Sequence, residues 1–426
     1  MPNNDKNKEN ILNSLLTQID AIPDSQNPRN LFVKAGILEQ LASVKKSNPI
    51  LERSIHFYRQ VVFSANAIDD LIFRIASEKC IELMKFRGWQ SQLATIWQKL
   101  IQRFPLEKEH RRQLGVTYLT IGQDEQAKKV FEEILELDID DYFAKAHLGF
   151  ILKSESVSKA DLKMLEKAAD LIGDAVQNSK EDLEGLFYFH LGDALRRLEK
   201  FEKADEIFQL AADRKIFPSF WQRSLYNEEN LKAQPIWPLH ETKIQNQLKV
   251  IKQHWESIRD EALKVYDDKN GGFFIDESES LKDTGYWGEF NLFVQGREKA
   301  ENCAKTPLTC SLIRNIPEIK SNRRGQVKFS VMKSGTHVHA HSGPTNCRLR
   351  AHLGLQVPAN PDPNGTKLRV ADQILHWQNG EMFVFDDSFD HEVWHNHPEN
   401  LPRIILILDL WHPELSNEKR ATLPAI

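Results

Sequence analysis

The stretch Gly335-Thr336-His337-Val338-His339-Ala340-His341-Ser342-Gly343-Pro344 sets three histidines at alternate positions and then breaks off. Alternation is the period of a β-strand, so all three imidazoles are expected on one face. Ser-Gly-Pro ends the strand. A further histidine, His391, comes 50 residues after His341 and opens another strand-like run behind the acidic turn Asp386-Asp387-Ser388-Phe389-Asp390. Six short apolar segments lie in this half, at 327–332, 348–357, 368–377, 382–385, 391–394 and 403–411, divided by Gly, Pro and Asn. Such spacing argues for an antiparallel barrel or jelly roll. Inside one, His341 and His391 can meet and share a metal. Imidazole suits Fe(II), Zn and Cu alike, so the histidines leave the metal open.

The usual mononuclear iron site adds a carboxylate two residues after the first histidine. Here that place is Gly343, and Asp386, Asp387, Glu392 or water is left to supply an oxygen. Basic residues flank the histidines. Arg348, Arg350 and His352 alternate in Arg-Leu-Arg-Ala-His-Leu-Gly-Leu, and Arg403 opens the last apolar segment. Cations on the inner face of a barrel are costly unless an anion compensates them. A guanidinium fork matches a carboxylate. The interior is therefore expected to bind an acid such as a dicarboxylate, or else to hold structural salt bridges to Asp386, Asp387 and Asp409.

The first 215 residues read differently. Gly is sparse, and apolar residues recur at helical steps. Leu114, Gly115, Tyr118, Gly122, Ala127, Phe131 and Ile134 follow the small-and-large pattern of a tetratricopeptide unit, and about 34 residues earlier Cys80, Met84, Gly88 and Trp97 repeat it. Leu191, Gly192, Leu195, Ala204, Phe208 and Ala211 repeat it once more. One unit cannot bury its apolar face, whereas several stacked units can. A Pro-containing segment, 216–240, reads as a linker, a long helix is expected over 241–267, and the character changes at Asn270-Gly271-Gly272.

Composition narrows the function class. The chain has 426 residues and a net charge of −5, which argues against a general nucleic-acid binder. Nine of its 15 histidines fall within residues 337–412, so the chemistry is expected there. The opening MPNNDKNK lacks a basic start with an apolar core, so no secretory leader is expected. No run approaches the about 20 apolar residues of a membrane span. A cytoplasmic protein without a membrane span is the expectation, and four cysteines form no disulfide framework.

Three long motifs, HSGPTNCRLRAHLGLQVP, FDDSFDHEVWHN and LDLWHPELSNEKRATLPAI, resemble the aspartyl/asparaginyl β-hydroxylase family of 2-oxoglutarate-dependent oxygenases. The resemblance runs over about 235–426, including WGEFNLFVQGR, and the helical half is similar to the repeat region of the animal members. It implies an α+β chain: an all-α tetratricopeptide-like solenoid (1–215), a linker (216–240) and a double-stranded β-helix, jelly-roll or cupin-like, oxygenase domain (241–426). It implies Fe(II) held by His341 and His391 alone, since this family lacks the carboxylate ligand. It assigns 2-oxoglutarate to Ser330, Arg350, His352 and Arg403, with Trp287 against it. Arg348 and Lys328 would face the substrate acid, and Asp387 would stand behind the ligands or on the substrate side. Glu289 stands where the animal members have a substrate-contacting glutamine, Lys282 replaces an arginine, and His339 replaces a tryptophan. Cys303 and Cys310 match a pair that is bridged in the animal members, with free thiols the alternative.

The reaction so implied is β-hydroxylation of Asp or Asn in a peptide or protein substrate, consuming O2 and 2-oxoglutarate and releasing succinate and CO2. The repeats would help bind that substrate. The rivals are the same chemistry on a lipid or small acid, and a non-catalytic repeat scaffold.

Overall fold

Residues 403–411, RIILILDLW, are apolar almost without alternation, the pattern of a strand buried on both faces. In the computed structural model this segment is a central strand of the larger of two antiparallel sheets. The structure describes residues 2–21, 27–64, 68–180, 182–267, 272–277, 281–359, 362 and 364–426. Asn270 and Gly271 of the expected break lie outside the described residues.

The chain divides into two units, Met1–Glu155 with Lys163–Leu183, and Ser156–Leu162 with Glu184–Ile426. The first is helical: α1 (Pro2–Asp20), α2 (Pro28–Lys45), α3 (Asn48–Phe63), α4 (Asp70–Phe86), α5 (Gln90–Arg103), α6 (Lys108–Thr120), α7 (Asp124–Leu137), most of α8 (Tyr142–Lys159), and α9 (Leu162–Asn178). The helices pair as hairpins. Gly88 and Gly122, both with φ near +70°, end the first helix of successive pairs in the left-handed conformation that glycine takes without strain. The small-and-large pattern is a packing pattern: a Cβ at Gly115 would come within 2.5 Å of the Phe131 ring. In the second unit, α10 (Gly185–Arg197) and α11 (Phe201–Asp213) repeat the device with Gly192 against Phe208. Gly115→Ala and Gly192→Ala are each expected to destabilise their unit by about 1–3 kcal/mol through overpacking, read as a lower urea midpoint.

The division falls at Leu183/Glu184, whereas the repeat pattern runs on to residue 215. The hairpin α10–α11 is thus a repeat by its residues and part of the sheet unit by its contacts. Segment 216–240, expected as a linker, is also threaded into that unit. Its Ile236–Trp237, strand β1, pairs with Phe385 and Val384, and Gln222 Nε2 donates to Ser388 Oγ at 2.9 Å. No hydrophobic period marks the segment, because polar and aromatic contacts hold it.

The helix expected over 241–267 is two, α12 (Gln245–Gln253) and α13 (Trp255–Val265). His254 divides them: its Nδ1 takes the Val250 carbonyl at 2.8 Å, and its backbone N–H moves to Ile251. After short strands β2 (Ile275–Asp276) and β3 (Lys282–Thr284) come β4 (Trp287–Val294) and β5 (Arg297–Glu298), then α14 (Ala300–Lys305), α15 (Pro307–Arg314) and α16 (Pro317–Lys320). Cys303 and Cys310 are bridged by a disulfide. The remaining strands are β6 (Gln326–Met332), β7 (Thr336–His341), β8 (Arg348–Gln356), β9 (Thr366–Val370), β10 (Gln373–Leu375), β11 (Met382–Phe385), β12 (His391–His395) and β13 (Arg403–Trp411), with α17 (Asn417–Thr422) last. The segment expected as one strand, 368–377, is a hairpin instead, turned at Ala371, whose φ is +51°.

The larger sheet has the order β1-β11-β8-β13-β6-β4-β2, with β5 on β4; the smaller has β10-β9-β12-β7-β3. Strand parity sorts the side chains. Ile404, Leu406, Leu408 and Leu410 pack with Leu248, Ile258, Ala262 and Ile313 of the helices. Ile405 and Ile407, on the opposite face, pack with Val338, Leu368, Val370 and Val393 of the smaller sheet. The candidate site residues lie on that second face.

Candidate active site

β7 carries the first surprise. Its pairing with β12 runs His391↔His341 and then Val393↔Val338, three steps on one strand against two on the other. This bulge flips the parity. Val338 enters the core and His341 also turns inward, against His391 with ring centroids 4.1 Å apart. His337 and His339 point to the outer face, where His337 stacks on Trp394. The expectation of three histidines on one face is therefore corrected, and the bulge is the reason.

Both inward histidines are oriented by the backbone. His341 Nδ1 lies 2.7 Å from the His339 carbonyl oxygen, and His391 Nδ1 lies 2.8 Å from that of Phe389. A carbonyl accepts only, so each Nδ1 carries the proton and Nε2 is the ring atom that could reach a metal. Burial, and then the neighbouring His341, push the His391 pKa well below the usual imidazole value, which keeps it neutral. Two imidazoles brought 4.1 Å apart, ring to ring, with both Nδ1 atoms tied to backbone carbonyls, fit a divalent metal.

Of the carboxylates considered as a third ligand, Glu392 is on the outer face, paired with His337 and Arg369. Asp386 is buried and accepts from the Ser388 N–H and hydroxyl; burial raises its pKa to about 8. Asp387 accepts from Arg348 at 2.7 Å. Asp387 also explains Gly343: a Cβ there would come within 2.5 Å of its Oδ2. Gly343→Asp is therefore expected to lower stability and metal occupancy together, instead of completing a three-ligand site; thermal melting and metal analysis of the purified variant check both.

β8, β13, β6 and β4 supply the polar residues facing the histidines. The alternation Arg348, Arg350, His352 holds along β8. Arg350 Nε donates to Asp409 Oδ1 at 2.7 Å and its Nη2 to Oδ2 at 2.9 Å. Arg348 meets Asp387, and Lys328 forms a buried ion pair with Glu289. Each of these cations faces a carboxylate already, as the salt-bridge reading of the arginines foresaw.

Arg403 is different. It is 1% exposed, and among the described residues it has no carboxylate partner. Its guanidinium lies over the Trp377 ring at 4.4 Å and reaches Ser330 Oγ at 3.4 Å, and its Nε has no partner. Burial pulls its pKa down. Trp287 Nε1 donates to the same Ser330 Oγ at 3.0 Å. Nearby, Trp377 Nε1 donates to His352 Nδ1 at 3.2 Å. The proton of His352 is thus on Nε2, a buried donor without a partner. Burial and the Arg403 charge keep that ring neutral. A buried unpaired guanidinium, a hydroxyl and an imidazole N–H together fit an anionic, oxygen-rich guest.

Sequence reasoning overlooked two contributors. Trp377 orients His352 and covers Arg403, but no spacing marks it. Asp390 is fully buried and takes ion pairs from Arg196, Arg223 and Arg369, which anchors the turn that delivers His391. Its three partners come from separate segments, so only the fold unites them. The other clustered histidines are structural: His376, His395, His397 and His412 each bond a backbone carbonyl.

Residues 252–413 match the family described as aspartyl/asparaginyl beta-hydroxylase, and 113–140 and 187–215 match the tetratricopeptide repeat. The chain is 41% identical over 401 residues, 94% of its length, to the aspartyl/asparaginyl beta-hydroxylase of Mus musculus, and covers 52% of that protein. Identity to the Homo sapiens protein of the same name is also 41% over 401 residues, covering 51% of it. Aspartate beta-hydroxylase domain-containing protein 2 of Xenopus tropicalis is 32% identical over 216 residues, 49% of this chain and 55% of that protein. The chain spans about half the length of these curated relatives. Among the described residues no helix is long and apolar enough to cross a membrane. By the match over residues 252–413, that region belongs to the aspartyl/asparaginyl beta-hydroxylase family, with tetratricopeptide repeats ahead of it.

Proposed function

We propose that the chain is an Fe(II)- and 2-oxoglutarate-dependent dioxygenase that hydroxylates the β-carbon of Asp or Asn residues in a peptide or protein. The observation that carries this reading is Arg403, a buried guanidinium that has no carboxylate partner among the described residues, on the face opposite His341 and His391. A buried guanidinium with no carboxylate among the described residues calls for an anion, and a dicarboxylate co-substrate supplies one. The names of the relatives favour Asp and Asn as substrates.

In this reading 241–426 is a double-stranded β-helix oxygenase domain, 216–240 a connecting segment, and 1–215 a repeat domain that helps bind the substrate. Iron with 2-oxoglutarate supplies the O2 activation and oxidising power for a C–H hydroxylation, with succinate and CO2 as co-products. The protein positions the partners. His341 and His391 hold the metal through Nε2, their Nδ1–H groups tied to carbonyls. Arg403 and Ser330 take the distal carboxylate, and Trp287 fixes the hydroxyl. His352 Nε2–H donates to an oxygen of the co-substrate, and Arg350, held by Asp409, adds positive potential. Lys328 with Glu289, and Arg348 with Asp387, face the substrate as ion pairs. No side chain is required as acid or base. Adding 2-oxoglutarate to Fe(II)-loaded protein without O2 is expected to raise a weak visible charge-transfer band, and admitting O2 to release succinate. Protein that holds iron and does neither overturns the proposal.

A further inference from the structure

The bulge that sends His341 inward leaves two histidines outside. Among the described residues, Asp283, His337 and His339 are the one group of three or more His, Cys, Asp or Glu whose donor atoms all lie within 4.8 Å of one another. Asp283 is on the edge strand β3, which pairs with β7, and its carboxylate reaches both rings: Oδ2 is 3.0 Å from His337 Nδ1 and Oδ1 is 3.5 Å from His339 Nε2. We infer that these three residues form a second metal site, for Zn2+ or a divalent ion of similar softness, on the outer face of the smaller sheet.

Two imidazoles and one carboxylate are a donor set that such ions take readily. Here they come from two adjacent strands, so little chain has to be ordered on binding. The orientation of His337 is already prepared. Its Nε2 lies 2.9 Å from Glu392 Oε1, and Glu392 is held by Arg369 at 3.0 Å. Without metal both ring nitrogens face carboxylates, which raises the His337 pKa; a metal would displace the Nδ1 proton toward Asp283 while Glu392 keeps the one on Nε2, the carboxylate–histidine–metal arrangement of known metal proteins. Trp394 supports the ring from below, its plane inclined by 15°. The group opens onto a cavity of about 490 Å³, which leaves room for water as a further ligand. The nearby cations are compensated: Arg197 pairs with Asp193 at 3.0 Å, and Arg369 with Glu392 and Asp390. A bound ion clips the edge strand to the strand that carries His341.

The test uses the full chain with His341→Ala and His391→Ala, which removes the inner histidines, and Zn2+ alone as the probe. After dialysis against Zn2+, elemental analysis is expected to find about one ion per chain, and Zn2+ is expected to raise the melting temperature. Adding His339→Ala or Asp283→Asn is expected to weaken Zn2+ binding by about 100-fold or more. In the chain with its inner histidines intact, the same ion is expected as a second equivalent that His339→Ala alone removes. A double variant that melts cooperatively and holds no Zn2+, or a His339→Ala variant with undiminished Zn2+, overturns the inference.

Discussion

Replacing His391 by alanine is expected to cut succinate formation by at least about 100-fold, because even partners behind a metal ligand are worth about 10–100-fold in activity. The loss should appear in kcat and in iron content together. His391 sits 4.1 Å, ring to ring, from His341, so its removal leaves one imidazole where two converged. The fold is expected to survive, since a truncated ring costs the packing of a single side chain. Cooperative melting is the control, and retained turnover in an iron-loaded variant would exclude His391 as a ligand.

Arg403→Ala is expected to act on the co-substrate. Truncating one partner of a buried charge pair costs about 2–5 kcal/mol, which is a rise in the 2-oxoglutarate dissociation constant of about 30-fold to several thousand-fold. The ligand-free protein should respond in the opposite sense. Without its anion, Arg403 is a desolvated charge that has no carboxylate partner among the described residues, so its loss is expected to leave the melting temperature unchanged or raised. Arg350→Ala is the contrast. It takes from buried Asp409 its two-point partner, leaving Arg348 at 3.5 Å and the Gln326 N–H, and is expected to cost about 1–3 kcal/mol of stability with or without co-substrate. Isothermal titration and melting curves on the two variants separate a charge that waits for a ligand from one that holds the sheet.

The two arginines look alike in the sequence, and what distinguishes them is register. Asp409 lies opposite Arg350 across β13 and β8, while Arg403 opens the same strand six residues away with Met332 opposite. Alternation was enough to place Arg348, Arg350 and His352 on one face, because β8 is regular. It failed on β7, where one extra residue re-aims His341 and no Gly or Pro signals it. The repeats were legible because Gly115 and Gly192 each make room for one ring on the partner helix. Segment 216–240 was not, since contacts such as Gln222–Ser388 and the Arg223–Asp390 ion pair have no period. Gly343, puzzling as a missing ligand, makes sense beside Asp387, whose carboxylate fills the space that a side chain there would need.

The most direct measurement follows oxygen. Fe(II)-loaded protein is given 2-oxoglutarate, 18O2 and a peptide bearing Asp or Asn that it turns over, and both products are weighed by mass spectrometry. The expected result is about one labelled atom in succinate for each labelled atom on the peptide β-carbon, both lost in the Arg403→Ala variant at low co-substrate. Peptide modified without label, or without equivalent succinate, would contradict a site built from His341, His391 and Arg403 for this chemistry.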